Sequence, residues 1–382
     1  MTTSMLTFDK HIHIVTHEIP WPADYGGVYD LFYTVKALHE QGVHIHLHCF
    51  SAHRKPQPML DRYCHTVHYY PRTLHPIALL TGTPYVVASR SARSLLDRLQ
   101  QDQHPILFEG IHTTFFWKTL ATDTQRTLLV RFHNAEQVYY RALARMESNL
   151  LKKWYFRIEA NRLARSEMDI MARLSVLTVC KEDEDLFRNS GFPYRHLETV
   201  PICIPWQEIS GKPGKGHFCL YHGNLSVNEN EQAARWLLQH VFNDLKIPFV
   251  IAGKNPCKQL IREAHRHDHT CIVENPDEHE LHDLIQKAHI NILPSFNETG
   301  IKLKVLHALY AGRYCVVNEA ACRGIDNQHN ILRIYETAND LKKTVTYLYA
   351  VPFSEEELIK RDFALQSQFN ASRSAAAIIR HV

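Results

Sequence analysis

Ile290-Asn291-Ile292-Leu293, and after it Asn297-Glu298-Thr299-Gly300-Ile301-Lys302-Leu303-Lys304-Val305-Leu306-His307-Ala308-Leu309-Tyr310-Ala311-Gly312, reads as a strand that passes through a Gly-containing loop into a helix. Ile301, Val305, Ala308 and Leu309 recur at helical spacing and form the stripe that packs on a sheet. Lys304 and His307, three residues apart, share another face. Unpaired amides at a helix N-terminus, next to Lys302 and Lys304, suit a diphosphate. The plainer alternative is a surface helix with two solvated lysines. Position favours a ligand, because open α/β sheets bind ligands beyond the carboxyl ends of their strands.

The alternation of strand and helix extends in both directions. Strands are expected at Phe218 to Tyr221, Phe249 to Ala252, Thr270 to Val273 and Tyr314 to Val317, with helices at Asn230 to Phe242, Lys258 to His267 and Glu278 to Ala288. The breaker cluster Gly211-Lys212-Pro213-Gly214-Lys215-Gly216 precedes them and marks a domain boundary nearby. Before it, His11 to Val15 is a strand, Pro20 to Gly27 a loop, and Val28, Leu31, Phe32, Val35 and Leu38 one helix face. Val43 to Phe50 is the next strand, so the opening is a βαβ unit with a parallel sheet. Further strands are expected at Thr66 to Tyr70, Ile106 to Glu109, Leu128 to Phe132 and Val176 to Cys180. Helices are expected from Ser91 to Gln101 and from Ser354 to Val382, with a long helical region from about Glu136 to Met171. The fold class is therefore α/β, with two Rossmann-like domains, residues 1–205 and 206–353, whose parallel sheets face a central cleft; the helical tail 354–382 is expected to pack back on the first.

Composition excludes several function classes. The 382 residues are 22% charged and 45% hydrophobic, and 43 basic against 40 acidic residues give +3, too balanced for a dedicated nucleic-acid binder. No apolar run approaches the ~18 residues of a membrane span. Met1 to Lys10 carries no secretory pattern, and nine scattered cysteines without a Cys-x-x-Cys pair fit a reducing compartment. The expected location is the cytoplasm.

The second half reads Tyr221-His222-Gly223-Asn224-Leu225, Asn230, Ile251-Ala252-Gly253-Lys254-Asn255-Pro256, Pro294-Ser295, and then the segment quoted first. In order and spacing this resembles the donor domain of retaining GT-B glycosyltransferases of the large family-four type (glycosyl transferases group 1). The first half resembles the same family more loosely, through Gly26-Gly27 after the first strand and Arg131-Phe132-His133-Asn134-Ala135-Glu136 after a middle one.

That resemblance implies transfer of a sugar from a nucleotide diphosphate sugar, UDP- or GDP-linked, with retention of configuration and no metal or other cofactor. Lys304, with Lys302 and the amides near Gly300, would stabilise the leaving diphosphate. Gly223 and Asn224 would border the donor, Asn275 would meet the base through its backbone, and Gly26 and Gly27 would approach the phosphates from the other domain. His133 and Asn134 would face the transferred sugar. Of the family's two glutamates flanking the loop and helix, the first falls at Glu298 or Thr299, one residue out of register, and the second at His307, which can bond a ribose hydroxyl without the paired acceptors of a carboxylate. Asn224 stands where relatives carry Arg, which shifts phosphate binding onto Lys302 and Lys304.

Two other patterns stand out. His44, His46 and His48 alternate along one strand face, but with no carboxylate or thiolate in view they read as compositional bias rather than a metal site. Residues 141–165 carry seven basic and two acidic side chains with Leu150, Leu151, Trp154, Tyr155 and Phe156 interleaved, which suits either a helix packed on the sheet or contact with the inner face of an anionic membrane. The apolar stretch Ile77 to Leu80 with Tyr85 to Val87 favours a lipid-linked acceptor over a free glycan. The rival functions are a catalytically silent GT-B binding subunit and a nucleotide-sugar epimerase on the same scaffold.

Overall fold

A computed structural model of the chain describes residues 10–23, 26–73, 82–122, 125–297 and 299–382. The chain divides into two compact units, Met1–Pro205 with Phe369–Val382, and Trp206–Gln368.

In the first unit the elements run β1 (His11–Thr16), α1 (Gly26–Glu40), β2 (His44–Ser51), β3 (Thr66–Pro71), α2 (Tyr85–Ala88), α3 (Arg93–Leu99), β4 (Ile106–Glu109), α4 (Trp117–Leu120), β5 (Leu128–Phe132), α5 (Glu136–Met146), α6 (Leu150–Arg173), β6 (Ser175–Thr178), α7 (Lys181–Arg188) and β7 (His196–Thr199). The seven strands lie in the order β3-β2-β1-β4-β5-β6-β7, all parallel. A parallel sheet must be covered on both faces. Ile12 and Ile14 of β1 therefore pack with Val28, Phe32, Val35 and Leu38 of α1, while Val15 faces the other way into a cluster with Leu95, Leu96 and Leu99 of α3. The strand order reverses between β1 and β4, so the ligand crevice of such a sheet opens at their carboxyl ends.

In the second unit follow β8 (Cys219–His222), α8 (Asn228–His240), β9 (Phe249–Gly253), α9 (Lys258–Ala264), β10 (Thr270–Glu274), α10 (Glu278–Lys287), β11 (Ile290–Ile292), α11 (Leu303–Ala311), β12 (Tyr314–Val317), α12 (Glu319–Cys322), β13 (Arg333–Ile334), α13 (Ala338–Ala350) and α14 (Glu355–Gln368). The order is β10-β9-β8-β11-β12-β13, again parallel, with the reversal between β8 and β11. Where β8 and β9 end side by side, a Cβ on Gly253 would sit 1.9 Å from the Gly223 carbonyl oxygen, so only glycine fits there.

Both long helical stretches are divided. The run from Glu136 to Met171 restarts at Asn149, whose side chain accepts from the amides of Leu151 (3.0 Å) and Lys152 (3.1 Å) and caps α6. The tail over 354–382 restarts at Asn370, which caps α15 (Ala371–Ile379) through the Arg373 amide. The two halves of that tail part company. Buried Arg361 of α14 donates to the carbonyls of Leu309, Gly312 and Arg313 at the end of α11, a cation neutralising a helix C-terminus within the second unit. Helix α15 packs on α1 in the first unit, and Arg380 and His381 beyond it bond Glu198 of β7. Among the described residues no helix is long and apolar enough to cross a membrane.

Candidate functional site

At the strand-order reversal of the first unit, a cavity of about 110 Å³ is lined by His17, Gly27, Gly110, Ile111, His112, His133, Asn134 and Glu136. Its walls come from the loops after β1, β4 and β5. Gly26 and Gly27, expected as a turn before the helix, are the first two residues of α1; neither has a side chain to cover the unpaired amides of its first turn. Behind the cavity lies a buried charge network. Arg131 of β5 donates to both carboxylate oxygens of Asp30 from α1, at 2.7 and 3.0 Å, and to Glu109 Oε2 at 3.4 Å. Burial opposes the charge on Asp30, but Arg131 overrides it and holds that carboxyl below its ordinary range. Glu109 Oε2 in turn accepts from His133 Nε2 at 2.6 Å, fixing the ring and leaving Nδ1 as its second polar atom.

Three buried polar atoms around the cavity have no partner among the described residues: His17 Nδ1, His112 Nδ1 and Glu109 Oε1. Burial first, then the neighbouring His133 charge, push His17 down to about 3, and burial holds His112 well below its usual value, so both are neutral at pH 7. Burial pushes the Glu136 carboxyl up to about 7, and Asn134 Nδ2 donates to it at 3.4 Å. Neutral imidazoles and unsatisfied acceptors in a small recess suit hydroxyl groups, which donate and accept at once. A larger hollow of about 600 Å³ is bordered by Lys118, Arg126, Arg173 and Arg195 at the amino-terminal end of β5 and β6. Its charge is already engaged: Lys118 and Arg173 pair with Asp169, and Arg126 bonds backbone carbonyls.

The second unit offers a different chemistry. Gly300 takes φ +69° and turns the chain into α11. Thr299 is fixed by Asn297, whose Oδ1 accepts from its amide (2.9 Å) and hydroxyl (2.8 Å), and the Thr299 carbonyl accepts from Lys302 Nζ at 2.6 Å. Lys304 Nζ donates to Asn230 Oδ1 (3.0 Å) and to Tyr221 Oη (3.2 Å), and sits 4.8 Å from the centre of the Tyr221 ring. Burial lowers Lys304 to about 8 and lowers Lys302 as well, while Glu229 works the other way on both. Glu229 is itself held by the Ser295 hydroxyl at 2.8 Å. This is a half-buried cation pair at a helix N-terminus, restrained by one carboxylate.

His307 lies on the same helix but faces elsewhere. Its ring stacks on Trp206 (4.6 Å, 16°), its Nε2 is 3.2 Å from His282 Nδ1, and burial pushes it down to about 4. Asn224 closes the turn after β8, its Oδ1 accepting from the amide and hydroxyl of Ser226, and Gly223 packs against Asn230. Asn275, in the left-handed region at φ +53°, is exposed and accepts from the Asn255 amide at 2.7 Å. Glu298 lies outside the described residues, as does the apolar stretch 77–80. The sequence reading missed Glu109, Asp30, His17, His112 and Glu136 in the first unit, and Glu229, Tyr221 and Ser295 in the second. One signal was present: Arg131 inside the apolar strand Leu128-Leu129-Val130-Arg131-Phe132 requires buried counter-charges.

Residues 216–350 match the family model described as glycosyl transferases group 1. A Klebsiella pneumoniae protein described as an uncharacterized 44.6 kDa protein in the cps region is 26% identical over 338 residues, covering 83% of this chain and 85% of its own length. Among solved structures, sucrose-phosphate synthase from Thermosynechococcus elongatus superposes with TM-score 0.70 at 12% identity over 97% of this chain and 98% of its own. Anabaena Alr3699/HepE, in complex with UDP and glucose, does so with TM-score 0.62 at 10% identity over 97% and 98%. The fold is therefore GT-B, two parallel-sheet α/β units.

Proposed function

We propose that this chain, whose residues 216–350 match the glycosyl transferases group 1 model, moves a sugar from a nucleotide diphosphate sugar to a glycan or glycolipid acceptor, with retention of configuration and without a metal. The observation that carries this is the junction of Gly300 and α11, where Lys302 and Lys304 stand at the carboxyl end of the central strands of the second unit. A diphosphate leaving group needs positive charge aimed at it as the bond to the sugar breaks, and in a half-buried site two lysines and free helix amides supply it. Glu229 holds that charge until a ligand replaces it. In the first unit, His133, oriented by Glu109, and neutral His17 and His112 bond hydroxyls; Glu136, poised near 7, can accept the proton an acceptor hydroxyl gives up. The cps-region relative supports a surface polysaccharide as the setting.

The acceptor side includes a membrane contact. Because α5 and α6 break at 147–149, Met146, Leu150, Leu151 and Trp154 cluster at the corner of a helical hairpin, with Leu150 and Leu151 78% and 80% exposed. Arg141, Arg145, Lys152 and Arg157 are exposed on the same two helices, a pairing of apolar and basic side chains suited to anionic lipid. Vesicles containing phosphatidylglycerol should sediment the protein, and Leu150→Glu with Leu151→Glu should abolish this; equal sedimentation of the double variant would remove the corner from the contact.

The deciding test is calorimetric titration with UDP, GDP, ADP and CMP, with and without EDTA. Selective binding of one nucleotide, unaffected by EDTA, is expected. Absence of binding by all four would favour the silent subunit, a reading that His307, neutral and packed on Trp206, otherwise keeps in play. Sugar released or inverted without acceptor would favour the epimerase.

A further inference from the structure

We propose that His11, His46 and His104 bind one transition-metal ion that prefers imidazole ligands, Zn²⁺ foremost, at the amino-terminal edge of the first unit's sheet. The proposal is independent of the transferase reading.

On sequence alone the histidines of β2 have no partner. Folding supplies two. Parallel pairing sets His11 opposite His44 and His13 opposite His46 on the same sheet face, and the turn before β4 brings in His104. The ligand nitrogens of His11, His46 and His104 all lie within 4.8 Å of one another, and all three residues are half-buried, open enough for an ion to enter. His11 Nδ1 and His46 Nε2 are 2.9 Å apart. Nitrogens bound at 2.0–2.1 Å to a tetrahedral zinc stand about 3.3 Å apart, so this pair is already close to coordinating distance. His46 Nδ1 is 3.0 Å from the Thr66 hydroxyl, the kind of outer contact that fixes the tautomer of a metal-binding imidazole.

The three rings are within 24° of parallel, with centroids 4.7 to 5.6 Å apart, so the rings, His104 on its turn foremost, must rotate before their in-plane lone pairs meet at one ion. His65 stands edge-on to both His11 and His46, so it or water completes the coordination. Asp102, bonded to His13 Nε2 at 3.0 Å, is shared with Arg126 at 3.4 Å, so the ion would rest on the imidazoles rather than on a free carboxylate. An ion here would clip β1, β2 and the turn before β4 together. The six residues of β1 separate it from the cavity at His17 by about 20 Å, so its effect is on stability rather than on sugar transfer.

The test uses full-length protein without an affinity tag, stripped with EDTA, reloaded with Zn²⁺ or Co²⁺ and passed through gel filtration. One retained equivalent per chain is expected, with a raised melting temperature and visible Co²⁺ absorption. Both His104→Ala and His11→Asn should lose the equivalent and the melting shift. His196→Ala, in the separate His196–Glu198–His381 group, should keep them. No retained equivalent in the wild type overturns the proposal. So does an unchanged equivalent in His104→Ala or in His11→Asn, or loss of it only in His196→Ala.

Discussion

The two strand-order reversals of this chain have the same topology and opposite chemistry. In the first unit the loops beyond β1, β4 and β5 present imidazoles held neutral, a carboxyl held near 7, and a buried ion network behind them. In the second, the loop beyond β11 presents two lysines and a helix N-terminus. A shared scaffold thus carries neutral imidazoles in one unit and paired lysines in the other, which is why we assign hydroxyls to the first and phosphate to the second, and the difference lies in the few residues at the strand ends. Fold likeness speaks to the scaffold; the residues must carry the function.

The sharpest way to break this contrast is Arg131→Met. It leaves the Asp30 and Glu109 carboxylates buried without their cation and should cost about 3–5 kcal/mol, read as a loss of stability in denaturant unfolding. A cost under about 1 kcal/mol would mean the network does not hold the first unit's cavity. Lys304→Ala comes next: nucleotide affinity should fall by roughly 1.5–3 kcal/mol in calorimetry, and an unchanged affinity would return Lys304 to the status of a structural partner of Tyr221 and Asn230. His133→Ala should lower turnover about 10-fold to 100-fold with little change in nucleotide affinity; the reverse split would place His133 with the phosphates.

The smallest effect is in pH dependence. In the proposed function the Lys304 ammonium binds the anion, and burial has brought its pKa from the ordinary range of lysine to about 8. Nucleotide affinity should therefore be level below pH 8 and weaken above it, by up to about tenfold per unit until the pKa of the complex is reached. Lys304→Arg, which does not titrate there, should flatten the profile. A profile that is already flat in the wild type would argue that the ammonium is not the binding group.

Much of this was legible in the sequence. Alternating β-like runs and helical stripes marked both parallel sheets, because residues 43–50 and 249–252 each read as a run bounded by breakers. Helix interruptions were harder: Asn149 and Asn370 sit in polar stretches where a capping side chain looks like any surface residue. The loop and helix around Lys304 could be read since its parts are contiguous. The network behind His133 could not, because Arg131 and Asp30 are 101 residues apart and meet only through the strand order β1-β4-β5. The histidine cluster was hidden for the same reason, its members being 35 residues apart or contributed by a turn.

The return of α15 to α1 has a consequence for synthesis. A ribosome completes residues 206–368 before it makes 371–379, so the second unit can finish folding while the first still lacks the helix that covers α1 and the Ile12–Ile14 face. A strictly vectorial order, N-terminal domain first, therefore cannot complete the first unit before the second is made. Until α15 emerges, the apolar cluster around α1 lacks Ala375, Ala377 and Ile378, and that interval is the one in which a chaperone would have most to hold.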